Sequence, residues 1–376
     1  MVERSVVVGS RCAWTMHNFR ANLLRRLTDE GWRVVALGAD LDDYESRLRA
    51  EGFDFRSAPV PMKGVSPLGD VALFWSFLCT FRQVRPRVAH MFTIKPVIYG
   101  TLAAALAGVP LRICTITGLG HAFSGDRGLV NLLARLLYRA ALSQAHVVFF
   151  QNEDDRDLFV TGGLVAESKV RMVPGSGVDL ERFQPRASAR IQGPTRFLMV
   201  SRLLRDKGVM DFVEAAERLT AVGVQAEFHL AGAVDTRNPS GLITAEIARL
   251  KASPVKWVGA LHDVRPELAD ADVMVLPSYR EGTPRVLLEG MAMAKPIITT
   301  DAPGCRQLVN PGVNGFLIPV RDPAALAQAM GWFLEDPVRR ESMGKAARRF
   351  VELHYSEDVV LDRFLASYGS ETLQPA

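Results

Sequence analysis

Two glutamates eight positions apart, Glu281 and Glu289, lie in the stretch "YREGTPRVLLEGMAMAKPIITTD", Tyr279 to Asp301. Glu281 stands just before a Gly-Thr-Pro turn, and Glu289 falls inside an apolar helical pattern. The turn follows a buried-strand pattern, "DVMVLPS". Thr283 is a good N-cap and Pro284 suits a first helical position, so the spacing predicts a helix from Pro284 to about Ala294. The unpaired N–H groups around Gly282, Thr283 and Arg285 would then make an anion site suited to a phosphate, to which Pro284 has no N–H to give. A carboxylate at Glu281 would accept hydrogen bonds from the hydroxyls of a group attached to that phosphate. Glu289 could accept two hydroxyls at once, as a ribose diol demands. The plainer reading pairs Glu289 with Arg285 one turn back, as a surface bridge worth roughly a few tenths of a kcal/mol. Arg before Glu is the weaker order for such a bridge, and Val286, Ala292 and Met293 make an apolar setting for a solvated charge.

A second segment, "VSRLLRDKG", Val200 to Gly208, follows the first strand of the second half. Arg202 and Lys207 fall in a strand-to-helix loop at the same sheet edge as Glu281. Alone they read as ordinary loop charges. Together with helix N–H groups, two cations suit a diphosphate leaving group, whose charge builds as the bond to it breaks.

These residues need a scaffold, and the chain alternates short apolar strands with helical patterns throughout. "SVVVGS", "RVVALGA", "RVAHMFT", "LRICTIT" and "HVVFFQN" come first, with an amphipathic helix from Asn18 to Glu30 closed by Gly31 after the first of them. "RFLMVSR", "AEFHLAG", "VKWVGAL", "DVMVLPS", "PIITTD" and "GFLIPV" follow a Pro-, Gly-, Ser- and Arg-rich stretch, Pro174 to Thr195. The expectation is two Rossmann-like, doubly wound parallel-sheet domains. Their predicted bounds are 1–180, a linker at 181–195, and 196–354. Such sheets bind ligands beyond the carboxyl ends of their strands, so two facing domains would share a ligand across a cleft that closes against water.

Composition sets the outer limits. A chain of 376 residues is long for one core, and 48% hydrophobic with 23% charged residues describes a globular protein. A formal charge of +4 is too mild, without an arginine-rich tract or stacking motif, to propose nucleic acid. An anionic small molecule or an anionic membrane surface stays open. The four cysteines are scattered without metal-ligand spacing, as in a reduced cytosolic protein. The first apolar run is too short for a signal peptide, and no stretch reaches the about 18 apolar residues that span a bilayer. The expected location is cytoplasmic, with room for peripheral contact at the inner face of the membrane.

"SRLLRDKG", "PSYREGTPRVLLEGMAMAKPII", "PGVNGFLIP" and "VPGSGVDLERF" together resemble the retaining, nucleotide-sugar-dependent glycosyltransferases of family four, the glycosyl transferases group one. The resemblance covers nearly the whole chain and is densest from about Arg196 to Pro319. It implies the two-domain GT-B fold, with a last helix from the N-cap candidate Ser356, in 355–376, crossing back to the first domain. It also implies that Arg202 and Lys207 hold the diphosphate, that Glu281 contacts the donor sugar and that the Gly282–Thr283 backbone contacts the distal phosphate. Glu289 would hold the ribose. Transfer would retain configuration with no metal bound. Two acidic stretches are false metal leads: Asp270 and Asp272 enter a strand, and Asn152 to Asp157 form the acidic first turn of a helix.

The acceptor side is read more thinly. "TITGLGHAFSG" puts His121 in a glycine-rich loop, where the resemblance gives a histidine contact to donor sugar or acceptor; a loop histidine without a role is the alternative. "GSRCAWTMHNFR" stands where many relatives have a Gly-Gly loop, and offers His17 and Arg20. "HMFTIKPVIYG" offers His90 and Lys95, the latter as a partner for an acceptor phosphate or as a solvated charge. Gln307 occupies a position where the family often has Glu. Val71 to Phe81 is almost wholly apolar and is followed by Arg82, Arg85 and Arg87, which reads either as a buried helix or as an interfacial one on an anionic membrane. A Thr-Gly-Leu-Gly loop is similar to that of members extending lipid-linked oligosaccharides. The resemblance therefore points to transfer of a hexose or N-acetylhexosamine, from UDP, to a polyprenyl-diphosphate-linked saccharide. A sugar-nucleotide epimerase of the same architecture and a non-catalytic sugar binder are the alternatives.

Overall fold

The computed structural model describes residues 4–40, 43–59, 66–118, 128–186, 193–236 and 238–369. The chain divides into two compact units, 1–176 with 360–376, and 177–359. The change falls between Ser176 and Gly177, a few residues ahead of the expected linker.

The first unit holds a seven-stranded sheet in the order β3-β2-β1-β4-β5-β6-β7. Its strands are β1 Ser5–Cys12, β2 Arg33–Ala39, β3 Asp54–Ser57, β4 Val88–Phe92, β5 Leu111–Ile116, β6 Val147–Phe150 and β7 Val170–Met172. The second unit holds a six-stranded sheet, β10-β9-β8-β11-β12-β13. These are β8 Thr195–Val200, β9 Ala226–Ala231, β10 Val255–Gly259, β11 Val273–Leu276, β12 Ile297–Thr300 and β13 Gly315–Ile318. Every pairing is parallel, with Val7 of β1 opposite Val35 of β2 and Ala89 of β4. Helices cover both faces, which is why β4, β6, β11 and β12 are buried along their length and β6 and β11 are continuous apolar runs. In each sheet the winding reverses once, between β1 and β4 and between β8 and β11. Those are the switch points where loops part and leave a crevice at the carboxyl edge.

The first helix runs Ala13–Asp29, starting earlier than the predicted Asn18. Thr15 supplies the reason: its hydroxyl accepts from the Cys12 N–H at 3.1 Å and donates to the Cys12 carbonyl at 2.7 Å, capping the helix where the strand ends. His17, expected ahead of the helix, is therefore on it together with Arg20. Gly31 closes it in the left-handed region, at φ +80°, as expected.

The Pro67–Val84 helix settles how its apolar run is used. Leu73, Phe77, Leu78, Phe81 and Val84 are buried in the core, while Leu68 (87% exposed), Val71 and Trp75 (53%) form an outward stripe. The helix is amphipathic, not buried all round. The Leu129–Gln144 helix likewise exposes Leu132, Leu133 and Leu136.

The last helix, Glu357–Tyr368, follows Ser356, whose hydroxyl accepts from the Val359 N–H at 3.3 Å. Its Val360, Leu361, Phe364 and Tyr368 are buried in one face of the first unit's core with Val8, Phe92, Ile113 and Phe149. The Phe364 ring stands edge-on to Phe149 at 5.0 Å and to Phe92 at 5.8 Å.

Candidate active site

The second unit gathers chemistry at its β8/β11 switch point. After β8 a 3₁₀ turn, Arg205–Lys207, leads through Gly208 into the Val209–Ala221 helix. Gly208 has φ +71°, and a Cβ there would lie 2.1 Å from the Pro277 carbonyl oxygen, so only glycine lets this loop pass the exit of β11. Tyr279 N–H donates to the Asp206 carbonyl at 2.9 Å, stitching the two loops together. The result brings Lys207 Nζ to 2.5 Å from Glu281 Oε1.

A third loop fixes Glu281 from below. Its N–H donates to the Pro303 carbonyl at 2.9 Å. Gly304, at φ +80°, approaches so closely that a Cβ would sit 2.2 Å from the Glu281 carbonyl oxygen. Beside it the Cys305 thiol is buried, which together with the Glu281 charge pushes it up to about 12 and leaves it unreactive. Gln307 carries a buried Nε2 with no partner among the described residues.

Gly282 and Thr283 connect Glu281 to the Arg285–Ala292 helix. The N-cap is Pro284 and not Thr283, because Pro284 has a ψ of 101°, outside the helical range, and being proline leaves no donor unsatisfied there. The helix stops at Ala292 and not Ala294, which takes φ +58°. Within it Glu289, with 15% of its side chain exposed, accepts from Arg285 Nε at 3.1 Å. The plainer pairing weighed above is thus formed, but inside the fold and not on its surface. Burial raises the Glu289 carboxyl, and the charges of Arg285 and Arg182 pull it back.

Arg202 lies on the same loop as Lys207 but reaches away from it, to Asp235 Oδ2 beyond β9 at 2.8 Å, and is 57% exposed. The sequence pattern gave no signal for Asp235. Nor did it for Tyr279, whose hydroxyl bonds Asp211 on the helix after Lys207; burial first, and Asp211 second, push it up to about 12. Arg321 lies over the same ring, 4.6 Å from its centre.

In the first unit the acceptor-side candidates separate. His90 is a correction: it is fully buried in β4, with Nδ1 2.7 Å from the Tyr368 hydroxyl and Nε2 2.7 Å from Thr115 Oγ1. Both ring nitrogens are used and no face is left for a ligand. Arg20 is also a packed residue: its guanidinium lies 4.0 Å from the centre of the Phe92 ring and donates to Ser176 Oγ at 3.2 Å. His17 pairs with Glu51 at 3.0 Å. Lys95 stays at the carboxyl edge beside the β1/β4 switch point, 2.8 Å from Asp70, which also bonds the Tyr99 hydroxyl. Thr93, two residues before it, is held at φ +67° with Oγ1 buried and unpartnered among the described residues. His121 lies outside the described residues. Among the described residues no three His, Cys, Asp or Glu side chains group as a metal site, and no helix is long and apolar enough to cross a membrane.

Comparison with known proteins fits this arrangement. Residues 194–336 match the glycosyl transferases group 1 family, and residues 15–176 match the glycosyl transferase 4-like domain. The chain is a group 1 glycosyltransferase. This transferase is 27% identical, over 96% of both chains, to the N,N'-diacetylbacillosaminyl-diphospho-undecaprenol alpha-1,3-N-acetylgalactosaminyltransferase of Campylobacter jejuni. It is also 27% identical, over 74% of both, to the UDP-Gal:alpha-D-GlcNAc-diphosphoundecaprenol alpha-1,3-galactosyltransferase of Escherichia coli. The structure of Anabaena HepE in complex with UDP superimposes with a TM-score of 0.79 over 98% of this chain and 100% of that one, at 16% identity. Likeness at that level speaks for the fold, that of the GT-B glycosyltransferases. Nothing in these matches supports the sugar-nucleotide epimerase.

Proposed function

We propose that the transferase moves a hexose or N-acetylhexosamine from a UDP-sugar, with retention, onto a polyprenyl-diphosphate-linked saccharide. The observation that carries the donor half is the Lys207–Glu281 pair at the switch point, with the Gly282–Thr283 turn entering a helix and Glu289 one turn further in. A sugar seated against Glu281 would place its diphosphate beside Lys207 and the helix start, and its ribose against Glu289. As the anomeric C–O bond breaks, the electron pair goes to the diphosphate, and Lys207 with the helix N-terminus stabilises it. Arg202 joins them by exchanging Asp235 for phosphate. The acceptor hydroxyl bonds to the same face of the sugar while its proton passes to the departing diphosphate oxygen. In this reading the cations and N–H groups do the work a divalent metal does in other transferases, and no metal is needed.

The acceptor half is supported by the two relatives, whose names give undecaprenyl-diphosphate-linked acceptors and alpha-linked products. It is supported too by the outward stripe Leu68, Val71, Trp75, which continues along the helix to the exposed Arg82. Leu132, Leu133 and Leu136 on the Leu129–Gln144 helix end likewise in the exposed Arg139. Apolar residues at the leading half of each helix, followed by a cation, suit an anionic membrane carrying a lipid-linked acceptor.

The test is nucleotide release from UDP-, GDP- and ADP-sugars in EDTA, with and without a bacterial lipid-linked oligosaccharide extract. Release from a UDP-sugar that requires the lipid and survives EDTA is the expected result. Release from GDP- or ADP-sugars alone overturns the UDP assignment, and loss in EDTA overturns the metal-free one.

A further inference from the structure

Among the described residues Arg285 is the one cation that touches Glu289, and it engages only one of the carboxylate's two oxygens. Nε lies 3.1 Å from Glu289 Oε1, while Glu289 Oε2 has no hydrogen-bond partner among the described residues. The far end of the guanidinium is taken by a second carboxylate, with Nη2 3.5 Å from Glu357 Oε1. All three side chains are largely shielded from water. Glu357 is itself anchored through its backbone. Its N–H donates to the Val178 carbonyl at 3.1 Å, Val178 N–H donates to Tyr355 at 2.9 Å, and Gly177 packs against the Glu357 Cα so closely that a Cβ would lie 2.7 Å away. The chain Glu357–Arg285–Glu289 thus runs from a fixed backbone point to a carboxylate with one oxygen in use and one to spare.

We propose that Arg285, held in place by Glu357, is a positioning residue of the nucleotide site: it fixes one oxygen of Glu289 and leaves the other for a ribose hydroxyl. The proposal rests on the reading of Glu289 as the ribose contact. Arg285 has a second consequence, since it counters the burial that disfavours the charged carboxylate. Among the described residues the charged groups around Glu289 are Arg285 on its own helix, Arg182 on the segment between β7 and β8, and Glu357 on the last helix. The two arginines favour ionisation and Glu357 opposes it, so Arg285 both aims the carboxylate and keeps it an acceptor.

The test compares binding of UDP and 2′-deoxy-UDP by calorimetry, in the wild type, Glu289→Ala, Arg285→Met, Arg285→Lys and Glu357→Gln, each first shown to melt cooperatively. The wild type should prefer UDP by about tenfold or more, as expected for a hydrogen bond to a charged acceptor, and Glu289→Ala should lose that preference. Arg285→Met should lose most of it as well. Its UDP affinity should also fall as pH drops from about 8 to about 6, because a carboxyl stripped of its cation protonates earlier. Arg285→Lys should keep a flat pH response, and Glu357→Gln should show a partial loss of the preference at every pH. Full 2′-hydroxyl preference with a flat pH profile in Arg285→Met overturns the role of Arg285 alone. No UDP binding by the wild type, or equal binding of the two nucleotides, overturns the reading of Glu289 and this proposal with it.

Discussion

Lys207 and Glu281 meet at 2.5 Å although 74 residues separate them in the chain. Each is presented by its own loop, and the two loops are joined backbone to backbone through Tyr279 and Asp206. The pair holds the cation that would face the leaving group and the carboxylate that would face the sugar in one fixed relation. Pre-organisation of this kind lowers the reorganisation needed at the transition state.

Lys207→Ala should therefore act on turnover more than on binding. Steady-state nucleotide release should show kcat lower by about 10²–10³, with KM for the donor changed far less. Equal turnover in mutant and wild type would remove Lys207 from the leaving-group role.

Gly304→Ala tests the loop beneath Glu281. A methyl group there meets the Glu281 carbonyl at 2.2 Å, whereas at Gly223, held at a similar φ of +78°, it meets nothing within 4 Å. Both substitutions should cost about 1–3 kcal/mol of stability from the left-handed backbone alone. Only Gly304→Ala should also cut activity, by about tenfold to a hundredfold, through displacement of Glu281. Matching activities in the two mutants would show that Glu281 does not depend on this contact.

His90 predicts a pH effect on stability. Burial first, and the charge of Arg20 second, hold its pKa well below the ordinary value of 6.5. Below about pH 6.5 the unfolded chain takes up a proton that the folded one refuses, so stability falls as pH drops, with a limiting slope of about 1.4 kcal/mol per pH unit for one group. His146 and His229 are lowered too, so the difference between wild type and His90→Gln isolates the share of His90. Denaturant melts between about pH 7 and about pH 5 should show a shallower decline in the mutant. Parallel declines would mean that His90 titrates normally.

Trp75→Glu combined with Leu136→Glu should release the protein from anionic vesicles. Each change removes a large exposed apolar side chain, worth roughly 1.5–3 kcal/mol if it is buried in the interface, so the pair should weaken flotation with phosphatidylglycerol vesicles by about a hundredfold or more. UDP binding, which the proposed site assigns to the other unit, should be unchanged. Undiminished flotation would mean that this face does not meet the membrane.

Much of this was legible in the sequence because parallel strands covered on both faces must be apolar runs, and the helices between them must carry a 3.6-residue period. Glu281 and Lys207 were legible for a related reason: each follows a strand closely, so chain order places it at a known sheet edge, and Glu289 lies in the helix that follows Glu281. His90 was misplaced for the converse reason. A strand buried on both faces has no alternation to say whether a polar residue points inward, and the partners of His90 lie 25 and 278 residues away. Gly304, Asp211, Arg321 and Glu357 escaped notice because they support the site from other loops and helices, at separations no local pattern encodes. The helix from Pro67 was ambiguous only because Leu68, Val71 and Trp75 are apolar on the side facing out.

The helix Glu357–Tyr368 bears on how the chain is made. Val360, Leu361, Phe364 and Tyr368 complete a core whose other members precede residue 174. On the ribosome most of the first unit is synthesised before the second, yet one of its apolar faces stays uncovered until Val360–Tyr368 emerge. The second unit has all of its own chain by residue 359 and can close before the first is finished. A nascent chain stalled ahead of Val360 would expose that face to chaperones and proteases, and a truncation ahead of Val360 would damage the unit whose other core residues all lie before residue 174.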